Sequence, residues 1–217
     1  MCGRFVQKSD LRLIAPQFNA AIVESDLKAS YNVTPTNPIA VVMEKGQRKI
    51  VTMRWGLIPH WAKDESMASK LINARAETVT EKPSFSDSYK KRRCLIIADG
   101  FYEWQAKKPY YICMKDNVPF GMAGLYDVWT NAAGEKITTC TIITTEANEI
   151  MKPIHNRMPV ILDAKDYDVW LNVEKAVENN LQRLLKPCDP ELLNAYEVGL
   201  EVNNARNNSE GCIVPRE

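Results

Sequence analysis

Cys2 is the residue with the most distinctive chemical option in this chain. A second residue as small as cysteine permits removal of the initiator Met1, which would leave an α-amine and a thiol on one residue. An unperturbed α-amine titrates near ~7.7–8.0, so part of it is neutral at pH 7 and able to attack an aldehyde. The adjacent thiol could then close a five-membered thiazolidine ring without a second encounter. The plainer reading is a small residue that merely tolerates loss of the methionine.

Three further segments bring together groups that could assist. Asn73-Ala74-Arg75-Ala76-Glu77 offers an amide that could hold an amine or carbonyl and a guanidinium that could grip phosphate. Alone, it also reads as a capped helix start with solvated charges. In Asp99-Gly100-Phe101-Tyr102-Glu103-Trp104, Glu103 stands between aromatics, where burial would raise its pKa and suit it to moving protons. The competing reading is an outward-facing strand residue, with Tyr102 and Trp104 on the other face. His155, in the polar segment His155-Asn156-Arg157-Met158-Pro159, could give or take a proton near neutral pH or be an ordinary loop residue. Trp61, in the loop Pro59-His60-Trp61-Ala62-Lys63, is a candidate for stacking on an unpaired base, whereas Trp55 ends a strand and reads as core.

These groups need a scaffold, and the composition supplies one. The 217 residues, 45% hydrophobic and 25% charged, suit one globular domain with a core that needs no staple. The net charge of +1 gives no global signal for nucleic acid, but the local run Lys90, Lys91, Arg92, Arg93 and the separate Arg4, Arg75 and Arg157 leave room for a basic groove. Six cysteines without a C-x-x-C pair, and only two histidines, argue against zinc and for reduced thiols. No signal peptide or membrane-length apolar run is present, so a cytoplasmic protein is expected.

The elements read as many short strands with scattered helices. Ser9 is expected to cap a helix that ends near Pro16, and an irregular loop is expected around Pro35 and Pro38. Ile39 to Met43 and Ile50 to Trp55 should form a hairpin turning at Lys45-Gly46. Arg75 to Thr80 and Ser84 to Arg93 read as short helices, and Cys94 to Ala98 as a buried strand. Phe101 to Gln105, Tyr110 to Met114, Phe120 to Tyr126 and Ile137 to Thr144 are further strands, with a turn at Asn131 to Gly134. Asp163 should cap a helix to Leu171, followed by one over Val173 to Leu185, and the tail from Tyr196 to Pro215 should be extended. The expected class is α+β: a single domain with a curved, barrel-like antiparallel β-sheet core and peripheral helices.

The order of the motifs is more specific than any one of them. Met1-Cys2-Gly3-Arg4-Phe5, Tyr31-Asn32-Val33-Thr34-Pro35, Trp55-Gly56-Leu57-Ile58-Pro59 and Asn73-Ala74-Arg75-Ala76-Glu77-Thr78 are followed by Arg93-Cys94-Leu95, Ala98 to Trp104 and His155 to Pro159. From Cys2 to the Val202-Asn203 region, this series resembles the SOS-response-associated peptidase (SRAP) family, which includes the abasic-site shield proteins of bacteria and animals.

The resemblance implies that Cys2 forms a thiazolidine crosslink with the ring-opened sugar of an abasic site in single-stranded DNA. Asn73 would position the amine and the sugar, Glu103 would act as acid and base, and His155 would shuttle the proton for ring opening and crosslink reversal. Arg4, Arg75 and Arg157 would contact DNA phosphates around a kink, and Pro35 and Trp61 would pack on flanking bases. It also implies self-removal of Met1, no cofactor or metal, no membrane, and a monomer associated with the nucleoid when bound to DNA. A β-elimination side reaction would compete with ring closure. Ala62 stands where some members have a second tryptophan, and Lys82 is the only basic residue near Pro83 where some members carry one, so a modified groove is expected. Without the C-terminal extension of animal members, the chain resembles the short bacterial or phage form. Two other readings are a thiol peptidase using Cys2 and His155 on proteins in trans, and a non-covalent single-stranded DNA binder; the latter leaves Cys2, Glu103 and His155 without work.

Overall fold

A run with no polar face needs cover on both sides, and Arg93–Ala98 obtains it: all six residues of this strand are buried. The computed structural model describes residues 2–23, 27–174 and 181–216. In chain order the strands are β1 (Phe5–Gln7), β2 (Ala21–Ile22), β3 (Ser30–Val33), β4 (Pro38–Lys45), β5 (Gln47–Trp55), β6 (Asn73–Arg75) and β7 (Arg93–Ala98). They continue as β8 (Gly100–Gln105), β9 (Lys108–Met114), β10 (Phe120–Thr130), β11 (Lys136–Glu146), β12 (Arg157–Pro159), β13 (Ile161–Leu162) and β14 (Leu193–Glu197). The α-helices are short: α1 (Leu11–Ile14), α2 (Ser86–Lys91) and α3 (Tyr167–Leu171).

One sheet has the order β14-β9-β8-β1-β3, all antiparallel. The larger sheet runs β12-β11-β10-β7-β4-β5-β2, with β6 on β11 and β13 on β10. Because β11 also pairs with β5, the path β5-β4-β7-β10-β11 returns on itself, which gives the barrel-like curvature expected from the sequence. Closure needs parallel pairing at β5–β11; β6–β11 and β2–β5 are parallel as well, within an otherwise antiparallel framework.

Period-two alternation divides the core. Ala40, Val42, Leu95, Ile97, Ala123 and Leu125 pack against Phe18, Tyr89, Tyr167 and Trp170 from the helical side. Ile39, Val41, Cys94, Ile96 and Met122 pack with Phe5, Phe101 and Ile112 from the smaller sheet and with Cys2, which precedes it. Buried Gln7 joins the sheets: its amide nitrogen donates to the carbonyls of Ala40 and Ile97, and its oxygen accepts from the Ala40 N–H at 2.7 Å. Every polar group of that side chain thereby finds a partner, the condition for burying it.

Several local expectations are corrected. Asp10, not Ser9, caps α1 by accepting from the Arg12 N–H, while the Ser9 hydroxyl is bonded to Asp99. Pro38 opens a strand instead of lying in a loop. The Arg75 to Thr80 segment is not helical: Asn73–Arg75 pairs with Ile142, Ile143 and Thr144, and a long-range ladder overrides the helix preference of Ala and Arg. Arg93 leaves the helix for β7. The tail beyond Glu197 is mainly 3-10 turns, Leu200–Asn203 and Glu210–Ile213. The helix expected over Val173 to Leu185 falls partly on residues 175–180, outside the described residues; Leu181 and Gln182 are helical. The Lys45-Gly46 turn is as read, with Gly46 at φ +75°, a conformation glycine adopts freely.

Candidate active site

Strand β1 delivers Cys2 to the space between the sheets. Phe5 pairs with Phe101 and Val6 with Gly100, and the Tyr102 N–H donates to the Arg4 carbonyl at 2.9 Å. Continued toward the N-terminus, that register runs past Glu103. Cys2 is fully buried among apolar residues that include Phe5, Trp55, Met151 and Met158. Burial drives its thiol well above the ordinary range, and the negative charge of nearby Glu103 pushes the same way. The thiol is therefore protonated at neutral pH and needs a base before it can react as a thiolate.

Asn73 reaches this residue from the larger sheet. Its Nδ2 donates to the Cys2 carbonyl at 2.9 Å. Its Oδ1 is buried and has no hydrogen-bond partner among the described residues, so an acceptor lies beside Cys2. The parallel β6–β11 pairing holds Asn73 opposite Ile142.

Glu103 lies on β8 at 3% exposure, which removes the outward-facing reading. Tyr102 and Trp104 do share a second apolar cluster, so the strand is covered on both faces. Burial raises the Glu103 carboxyl, while the nearby His155 opposes the rise. His155 Nδ1 stands 4.0 Å from Glu103 Oε1 and accepts the Arg157 N–H at 3.0 Å. The same nitrogen lies 3.2 Å from the Arg157 carbonyl oxygen, so either ring nitrogen can carry the proton of the neutral ring. Two side chains that the sequence reading passed over hold the His155 loop. Asn148 Oδ1 accepts from the Met151 N–H while its Nδ2 donates to the Cys188 carbonyl, and Gln105 Nε2 donates to the Pro153 carbonyl. Gln105 thus ties the end of the Glu103 strand to the segment preceding His155. Only its place two residues after Glu103 marks it in the sequence.

The arginines differ in how they are held. Arg4 donates from Nη1 to Asn32 Oδ1 at 2.7 Å and to the Val202 carbonyl at 2.8 Å, and lies over the Trp104 ring. Arg157 forms a fork with Glu77 and donates to the Thr144 carbonyl. Arg75 is exposed. Pro35 is half-buried in a turn, and Trp61 is 51% exposed. The Lys90 to Arg93 run is not an open basic patch: Lys91 and Arg92 pair with Asp87, and Arg93 is buried. Asn32 is a further residue that the reading left without a role. Buried at 4% exposure, it orients Arg4 and donates to the carbonyls of Val202, Asn204 and Asn207, and a lone amide inside the strand Ser30–Val33 is the trace it leaves in the sequence.

Among the described residues, no helix is long and apolar enough to cross a membrane, and no group of three or more His, Cys, Asp or Glu side chains could share a metal. The family model described as SOS response associated peptidase (SRAP) matches residues 1–205. The abasic site processing protein YoqW of Bacillus subtilis is 45% identical over 98% of this chain and 99% of its own. The abasic site processing protein HMCES of Gallus gallus is 32% identical over 89% of this chain and 68% of its own. A crystal structure of a protein from Bacteroides thetaiotaomicron superposes with a TM-score of 0.91 at 28% identity, covering all of both chains. One from Bordetella bronchiseptica gives 0.80 at 29% identity, over 91% of this chain and all of its own.

Proposed function

Because the chain belongs to the SOS response associated peptidase (SRAP) family, we propose that it processes abasic sites in single-stranded DNA by bonding covalently to them through Cys2. The observation that carries this reading is convergence: the Asn73 amide touches the Cys2 carbonyl, and a buried Glu103 with His155 beside it flanks the same residue. Met1 must leave first, since the Cys2 nitrogen is otherwise an amide. The same cluster is the proposed machinery for that self-processing.

The freed amine adds to C1′ of the ring-opened sugar, and loss of one water gives the imine. The S–H bond then adds across C=N, with sulfur bonding to carbon and the proton passing to nitrogen. One aldehyde and one aminothiol are consumed, and one thiazolidine and one water are formed. Glu103, with a raised pKa, can take a proton from the nitrogen as the amine adds to C1′ and return it to the departing hydroxyl. The imidazole of His155, 4.0 Å from Glu103, is suited to passing a proton to the ring oxygen as the sugar opens. Asn73 Oδ1 is an acceptor for the amine N–H. Arg4, Arg75 and Arg157 would bind phosphates, and Pro35 and Trp61 would pack on bases beside the lesion. The same imine acidifies C2′, so β-elimination competes whenever a base removes that proton before sulfur closes the ring.

The test mixes mature protein with an oligonucleotide that carries one abasic site. A complex that survives a denaturing gel is expected, with a mass equal to protein plus DNA minus one water. Cys2→Ala should abolish it. Failure of the wild type to give this species would sink the covalent reading.

A further inference from the structure

Arg157 stands at a joint between the two segments that bring Asn73 and His155 to the cluster around Cys2. Its backbone N–H lies 3.0 Å from His155 Nδ1, and its guanidinium reaches Glu77. Glu77 follows Asn73 by four residues, and the Asn73 amide donates to the Cys2 carbonyl. Strand β11 lies between the two segments. The Val160 N–H donates to Ile143 and the Ala76 N–H to Thr144, and neighbouring residues of a strand face opposite edges. The Arg157 side chain therefore crosses β11. On its way it meets the Thr144 carbonyl, which accepts from Nη2 at 2.7 Å and from the Ala76 N–H at 2.9 Å. A carbonyl has two lone pairs, so both bonds are made together.

These contacts use up most of what Arg157 can donate. A guanidinium has five N–H bonds. Nη1 and Nη2 each give one to the Glu77 carboxylate, and Nη2 gives its other to Thr144. Nε is buried without a hydrogen-bond partner among the described residues. One Nη1–H is left for a ligand, on a side chain only 14% exposed. A two-pronged grip on phosphate needs two parallel N–H bonds, and Arg157 cannot supply them while Glu77 holds it. The Arg157 hydrogen bond keeps the Glu77 carboxyl below its ordinary range, so at neutral pH a full negative charge offsets that of the arginine. Arg75, two residues before Glu77, is exposed.

We propose that Glu77 is a positioning residue for the crosslinking reaction: it withholds Arg157 from a two-pronged phosphate contact and makes it a bolt that fixes the Asn73 and His155 segments relative to Cys2. The site gives up DNA affinity for alignment. This rests on the reading that the chain bonds covalently to abasic DNA.

The test compares wild type with Glu77→Gln, a change at a half-exposed side chain. Affinity for an unmodified single-stranded oligodeoxynucleotide is measured by fluorescence anisotropy between about 50 and 200 mM salt. The first-order rate of crosslinking is measured at saturating abasic DNA. Freeing Arg157 should steepen the salt slope by about 0.7, the share of one phosphate on a single strand, and tighten binding about two- to five-fold at the lower salt. The rate should fall about ten-fold, because the helpers lose their alignment. A side chain that only supports the fold would not move the two quantities in opposite directions. An unchanged salt slope, weaker binding or an unchanged rate would each overturn the proposal. In an Arg157→Lys background, which lacks the planar fork, Glu77→Gln should no longer alter the rate; a further ten-fold loss there would show that Glu77 acts by another route and overturn the bolt. Hydrogen exchange over residues 73–78 and 155–160 needs no DNA and should quicken in both segments together in Glu77→Gln. If wild type forms no denaturant-resistant complex while the slope and the exchange change as stated, the covalent reading fails and the bolt stands.

Discussion

Burial decides what the reacting side chains can do. Glu103 has its carboxyl raised by desolvation, with His155 acting in the opposite sense. For an acid raised in the folded state, the neutral form is favoured by folding. Its contribution to stability is complete below the unfolded value near ~4.3 and is lost as pH rises through the folded value. Glu103→Gln removes this loss. Thermal denaturation should show the variant gaining on wild type as pH rises from about 4 to 7, and a gap that narrows with rising pH would contradict the burial account. The same substitution should slow crosslinking about 100-fold or more, read as the first-order rate at saturating abasic DNA. Asn73→Ala removes both the donor to the Cys2 carbonyl and the nearby acceptor, so its rate should fall while affinity for unmodified DNA holds. At this scale the chemically able side chains, Cys2, Asn73, Glu103 and His155, were legible in the sequence. The helpers Gln105, Asn148 and Asn32 were not, because each acts through a backbone carbonyl that only the folded chain brings near.

Elements that close on themselves were easier to read than elements set by distant partners. The β4–β5 hairpin and the buried β7 follow from turn chemistry and apolar runs over a few residues. Strand β6 could not be read this way, since its extended form exists only because β11, about 70 residues away, offers a parallel edge. Arg93 shows the same limit. With Lys90, Lys91 and Arg92 it reads as part of a local basic run that leaves room for a groove, yet it is 2% exposed and stacks on Trp170. Its guanidinium donates to the carbonyls of Tyr89, Lys90, Trp170 and Asn172, so it joins the ends of α2 and α3. Four acceptors at two helix C-termini supply the negative potential that a carboxylate would otherwise provide. Arg93→Met should cost about 3 kcal/mol in urea unfolding, with Arg93→Lys recovering only part because it lacks the planar fork. A change below about 1 kcal/mol would show that the joint contributes little.

The whole molecule is assembled around its two ends. Residues from Val202 onward pack on β1, β3 and β8: Val202 accepts from Arg4, Asn203 from the Trp104 indole, and the Cys212 carbonyl from the Tyr102 hydroxyl. Nothing in the period or composition of the tail signalled this role, which is why extended pieces were expected there. A chain ended after Gly199 should unfold at lower temperature, and at a temperature where it remains folded it should bind unmodified single-stranded DNA more weakly than the full chain, through loss of the Arg4 anchor. Equal affinity would show that the anchor is dispensable. The separation of the helpers also has a consequence in time. Cys2 emerges from the ribosome first, but the Asn73 contact, the Glu103 strand and the His155 loop are translated far later, and β1 gains its partner β8 only after residue 105 is out. On the reading that the terminal aminothiol is the reagent, a nascent chain carries its warhead without its trigger, so cleavage of the initiator bond by the protein itself must wait until synthesis is nearly complete.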